Sequence, residues 1–248
     1  MKTAADLIEP AVRRLLIVDG DPGTRRELRR ACEQQAFQVV EAESSQLGLL
    51  RFEESSPSLV LLDSRLPDGS GLDLCRELRR LDADIPILIM GTSADEIDVV
   101  VALEVGADDY VTKPVRLREL LARMAAHLRK SRSNRGLQQR GRLEFKQLRL
   151  DLNERRVQRR AEASEPWEDL ELTHTEFDLL AYLAVNAGRV LSRERILNTI
   201  WGYDYPIETR VIDVHVRNLR KKIEPEPSSP VLVLAVPGIG YRFTNSQD

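Results

Sequence analysis

Five apolar runs recur at even spacing through the first half of the chain: RLLIVD (14–19), FQVVEA (37–42), SLVLLD (58–63), IPILIM (85–90) and DDYVTK (108–113). Consecutive Val, Ile and Leu positions mark strands covered on both faces. Between these runs, helical patterns occupy Thr24–Gln35, Gln46–Glu54, Leu72–Leu81, Asp95–Glu104 and Leu117–Leu128. Five strands alternating with five helices predict an α/β unit, a doubly wound parallel sheet with helices on both faces.

The rhythm then changes. RLEFKQLRLDLNERRVQRR (142–160) reads as short strand pieces, and Thr173 with Glu176 forms a capping box ahead of Phe177, Leu180 and Leu183, with Gly188 as a stop. A second helix starts at Ser192 in SRERILNTIW. A third, TRVIDVHVRNLRKKI (209–223), carries Ile212, Val216, Leu219 and Ile223 on one stripe and Arg210, Arg217, Asn218, Lys221 and Lys222 on its other face. VLVLAVPGIGYRF (231–243) gives two strands around a Pro-Gly turn. This half is an α+β unit.

Charge divides the same two regions. Residues 1–128 carry 16 Lys+Arg against 23 Asp+Glu, residues 129–142 carry 6 against none, and residues 143–248 carry 15 against 17, which account for all 37 basic and 40 acidic residues. The expected organisation is therefore a domain at 1–128, a basic linker at 129–142 that reads as a solvated tether, and a second domain at 143–248. Cys32 and Cys75 share no metal spacing and fall in helical patterns, so buried thiols are expected. No apolar run reaches the ~18 residues of a membrane span, and MKTAADLIEPAVRR lacks the apolar core of a secretory signal, which makes a cytoplasmic protein the expectation.

In open parallel sheets, ligands bind at the carboxyl ends of the strands. Those ends carry Asp19, Gly20 and Asp21 after the first strand, Asp63 after the third, Gly91 and Thr92 after the fourth, and Lys113 after the fifth. A carboxylate can attack phosphorus when nearby cations neutralise the transferring group. The plainer reading is a salt bridge between Asp63 and Lys113 across the strand ends. Asp21, followed by Pro22, has the chemistry of a helix N-cap.

These residues, with LVLLDSRLPDGSGLDLCRELR and GADDYVTKP, resemble the flavodoxin-like (βα)5 receiver domain of bacterial two-component response regulators. The resemblance implies Asp63 as phosphoacceptor, Lys113 as the cation beside the phosphoryl group, and Asp19, Asp63 and the backbone carbonyl of Arg65 as Mg²⁺ ligands. Two positions depart from the family. Gly20 stands where a second metal-binding acid belongs, and Gly91 where a Thr or Ser binds the phosphoryl oxygen; Thr92 lies one position late, and the switch partner Tyr110 is retained. The expectation is that no cofactor is required and that any Mg²⁺ site is weak. LEVGADDYVTKPVRLRELLARMAAHLR resembles the dimer face of the OmpR/PhoB subfamily, implying a homodimer through Asp108, Asp109, Glu119 and Arg123, with Val99 in place of a basic partner for Glu119.

LTHTEFDLL, GRVLSRERIL, WGYDY, IDVHVRNLRKKI and GIGYRF resemble the winged helix-turn-helix DNA-binding domain of the same subfamily. The resemblance places the third helix in the major groove of promoter direct repeats, with Arg210, His215, Arg217, Asn218, Arg220 and Lys221 shared between phosphates and base edges and Arg242 on the wing. His215 is equally readable as a packed histidine. Pro237 replaces a wing Arg, and WGYDYPIE resembles an RNA polymerase contact loop, although an aromatic turn packed under the helices is as good a reading. The implied function is a sequence-specific transcription regulator with weak or no dependence on Asp63 phosphorylation. The alternatives are an ordinary phosphorelay regulator served by a sensor histidine kinase, and a receiver set by another regulatory protein. No P-loop, Ser/His/Asp constellation or metal cluster suggests an enzyme.

Overall fold

The computed structural model describes residues 13–93, 95–128, 141–162, 164–202 and 210–244. Most of the expected linker lies outside them, as do residues 203–208 of the polymerase-loop motif and residue 209 at the start of the expected third helix.

The first half is a five-stranded parallel sheet built from β1 (Arg14–Val18), β2 (Gln38–Ala42), β3 (Leu59–Asp63), β6 (Ile87–Gly91) and β7 (Asp109–Thr112), in the order β2-β1-β3-β6-β7. A two-residue hairpin, β4 (Arg65–Leu66) and β5 (Gly69–Ser70), follows β3. Successive strand residues serve opposite faces. Leu15 and Ile17 therefore pack with Leu28 and Cys32 of α1 (Pro22–Glu33) and with Leu120 and Met124 of α5 (Leu117–Leu128). Leu16 and Val18 face the other way, toward α2 (Ser45–Ser55), α3 (Gly71–Leu81) and α4 (Glu96–Glu104). The doubly wound expectation is met. Both cysteines are buried thiols, and burial raises each pKa to about 11.

The second half opens with an antiparallel sheet of β8 (Arg142–Glu144), β9 (Leu148–Asp151), β10 (Arg156–Arg159) and β11 (Glu168–Leu170). Then come α6 (His174–Val185), β12 (Val190–Ser192), α7 (Arg193–Ile200), α8 (Arg210–Ile223) and the hairpin β13 (Val233–Val236) and β14 (Gly240–Phe243). The Thr173–Glu176 capping box forms in both directions. Glycine suits position 188, where φ is +80° and the chain leaves α6. Buried Glu224 follows α8 and accepts the amides of Val231, Leu232 and Val233, which fixes where the hairpin starts.

The two halves share a core. One apolar cluster runs from Leu16 and Val60 through Leu103 and Ala107 to Phe177, Val216 and Phe243. No described helix is long and apolar enough to cross a membrane.

Candidate functional site

At the carboxyl edge of the parallel sheet, Lys113 Nζ lies 2.7 Å from Asp19 Oδ2 and 2.7 Å from Asp63 Oδ2. Burial alone would lower the pKa of this amine, but its two carboxylate partners hold it above the ordinary lysine value. The remaining oxygens are also engaged: Asp19 Oδ1 accepts the Asp21 amide at 2.8 Å, and Asp63 Oδ1 accepts the Arg65 amide at 3.2 Å. Asp21 is the N-cap of α1, where its Oδ2 accepts the Thr24 amide at 2.6 Å and its pKa falls as a result.

A divalent ion, which needs several oxygen ligands, finds little here that is free. Gly20 offers no side chain, and among the described residues no three His, Cys, Asp or Glu gather as metal ligands. Pro67 closes on the gap, so that a Cβ at Gly20 would stand 2.9 Å from its Cδ. Gly91 is more crowded: a Cβ there would lie 1.9 Å from the Tyr110 hydroxyl oxygen and 2.6 Å from its Cζ. The tyrosine lies inward and donates its hydroxyl to the Ser93 carbonyl at 2.8 Å. Burial, then Asp98, raises its pKa. Thr92 is exposed and accepts a hydrogen bond from Arg65 Nη2 at 2.7 Å.

Asp108 is fully buried where the two halves meet. It pairs with Arg79, accepts the Ile87 amide at 2.9 Å, and accepts the amide of Thr175, in the first turn of α6, at 2.9 Å. Burial opposes its charge, yet Arg79 and the nearby histidines hold its carboxyl well below the usual carboxylate range. Arg123 bonds Asp109 at 3.0 Å and Glu119 at 2.5 Å within the same chain. The resemblance put Asp108, Asp109, Glu119 and Arg123 on a face between two copies. Here Asp108 accepts from α6 across the seam, whereas Arg123 pairs with Asp109 and Glu119 inside the first half, and α8 packs on the neighbouring α4. Val99 is partly buried against the shared core.

Arg155 is a second clasp at this seam. It reaches Asp84 of the first half at 3.0 Å and Asp178 of the second at 2.6 Å, and donates to the His174 carbonyl at 3.0 Å. Sequence reasoning singled out Asp108 for a face between copies and missed Arg79, Arg155, Asp84 and Asp178, which follow no local pattern in the chain.

α8 packs against α4. Arg217 Nη1 lies 2.6 Å from Glu104 Oε1, Lys221 Nζ lies 3.9 Å from the same oxygen, and Asn218 Nδ2 donates to the Leu103 carbonyl at 3.1 Å. Three residues differ from the open basic face expected: Asn218, covered by α4, and two more. His215 is buried with its ring 5.4 Å from that of Trp201, and burial lowers its pKa, so it is packed in this conformation. Arg220 donates to the Val233 carbonyl at 2.6 and 3.0 Å and stacks over Tyr241, tying α8 to the hairpin. Arg242 is exposed on β14; the Arg210 side chain lies outside the described residues.

A model of the response regulator receiver domain matches residues 15–125, and one of the transcriptional regulatory protein C-terminal domain matches residues 167–243. DNA-binding response regulator MtrA of Mycolicibacterium smegmatis is 38% identical over 229 residues, covering 92% of this chain and 96% of the relative. Sensory transduction protein RegX3 of the same organism is 40% identical over 231 residues, covering 92% and 98%. A RitR variant of solved structure aligns over 94% of this chain and 100% of its own, with 27% identity and a TM-score of 0.74. The receiver sheet with its Asp63–Lys113 pair, the winged helix beyond it and relatives matched over nearly their full length agree: the chain belongs to the OmpR/PhoB-type response regulators, transcriptional regulators that bind DNA.

Proposed function

We propose that this regulator sets its DNA binding at the seam between its halves, with weak or no dependence on phosphorylation of Asp63. The observation that carries this reading is the Tyr110 ring, which stands in the space a hydroxyl-bearing side chain at position 91 would need. With no side chain there, an incoming phosphoryl oxygen lacks a hydroxyl to pull, and the tyrosine already lies inward. Gly20 supplies no carboxylate and the oxygens of Asp19 and Asp63 have partners, so no Mg²⁺ is required. Activity then turns on whether α8 is held against α4 or released to the major groove. Released chains would pair through the α4–β7–α5 face on direct repeats in the cytoplasm and engage RNA polymerase.

Binding of the full-length protein to its promoter DNA, measured with and without Mg²⁺ and beryllofluoride, tests the reading. Equal affinities are expected. A Mg²⁺-dependent adduct at Asp63 that raises affinity would overturn it in favour of the ordinary phosphorelay, which the 2.7 Å Lys113–Asp63 contact favours as second reading. If the purified Asp63→Ala protein shows no specific DNA binding until a cellular protein is added, control by a protein partner replaces both.

A further inference from the structure

In the closed chain the cations of α8 face a carboxylate and a helix end. Glu104 is the last residue of α4, so its charge sits at the negative end of the helix dipole, beside a Leu103 carbonyl that accepts the Gly106 amide at 3.2 Å and has a second lone pair to offer. That end takes Arg217 and Lys221 on Glu104 and the Asn218 amide on the Leu103 carbonyl. A carboxylate with an adjoining carbonyl offers the acceptors that a phosphate and a base edge offer the same three side chains.

We propose that the C-terminal end of α4 is an internal stand-in for DNA, and that a duplex opens the chain by competing for these side chains. The proposal rests on the reading of α8 as the DNA-contacting helix. Exposure gives the order of events: the side chains of Arg217 and Lys221 are 64% and 50% exposed, whereas Asn218 is 8% exposed. A polyanion captures the two cations from outside while Asn218 is still covered, and Asn218 is freed only as α8 leaves α4. Lys222 and Arg193 take no part, since Glu176 and Asp213 hold them within the DNA-binding half. No phosphoryl step enters.

The test uses the full chain with a donor dye on the receiver and an acceptor on the DNA-binding half, at one fixed salt concentration because such binding is salt-dependent. Heparin and a random-sequence DNA duplex are the probes, with no phosphoryl donor present. Both should lower energy transfer in the wild type. Glu104→Gln should raise duplex affinity about two- to fivefold, the range of an exposed ion pair, over Glu54→Gln, which removes the same charge from α2. Unchanged transfer at saturating heparin, or equal affinities for Glu104→Gln and Glu54→Gln, overturns the stand-in; if Arg217→Ala still weakens duplex binding, the reading of α8 survives that loss. If Arg217→Ala and Asn218→Ala both bind duplex as tightly as wild type, that reading falls, and the stand-in with it.

Discussion

A methyl group added at Gly91 would begin 1.9 Å from the Tyr110 hydroxyl oxygen, so the ring must move before any side chain enters. Gly91→Ala is therefore expected to destabilise the protein by about 1–3 kcal/mol, the range of an overpacked core. Pairing it with Tyr110→Ala should recover part of the loss, because residues in contact are not additive. Urea unfolding of both single variants and the double variant checks this. His215 supplies a second prediction. Burial lowers its pKa in the folded chain, so between that lowered value and the unfolded value of 6.5 the unfolded state binds more protons. Its contribution is whole above pH 6.5 and declines as the pH falls below it. Melting temperatures from pH 8 to 5 should drop on the acid side, with a shallower slope in His215→Phe.

At the scale of elements, one carboxylate joins β6, α3 and the first turn of α6. Asp108→Ala leaves the largely buried Arg79 guanidinium without its acid and the Thr175 amide without its acceptor. Removing one partner of such a buried pair costs about 3–5 kcal/mol, to be read from urea unfolding, and cleavage by protease near the seam should rise with it. The five parallel strands, the α1 cap and the capping box of α6 were legible in the sequence because each follows from spacing within a few residues, whereas the short strands β11 and β12 were not. The strand-end cluster was legible too, since a parallel sheet must bring Asp19, Asp63 and Lys113 to one edge. What packs against what across the seam was not. Asp108 sits in a stretch whose resemblance pointed outward to a second copy, and its partner Thr175 lies 67 residues away. Arg155 lies in a turn whose local sequence says nothing about Asp84. Gly20 and Gly91 were readable as missing side chains, but only packing reveals that Pro67 and Tyr110 occupy the space.

For the whole molecule, the shared apolar cluster and the two charged clasps make the halves mutually dependent while the chain is closed. A dimer using Asp109, Glu119 and Arg123 between copies must first break the Arg123 pairs that join them within the first half, whereas Asp108 of the same stretch is held across the seam by the Thr175 amide. The same coupling governs unfolding. Both tryptophans, Trp167 and Trp201, belong to the DNA-binding half, so their fluorescence follows that half alone, whereas far-ultraviolet circular dichroism follows both. If the seam holds the halves together, the two signals should trace one urea transition with one midpoint, as a cooperative unit does. The combined Asp108→Ala and Arg155→Ala variant cuts both clasps. Its fluorescence transition should then move away from the dichroism transition, because each half unfolds on its own stability. Coincident curves in that variant would mean that the apolar cluster alone couples the halves, and separate curves in the wild type would mean that the closed seam does not persist in solution.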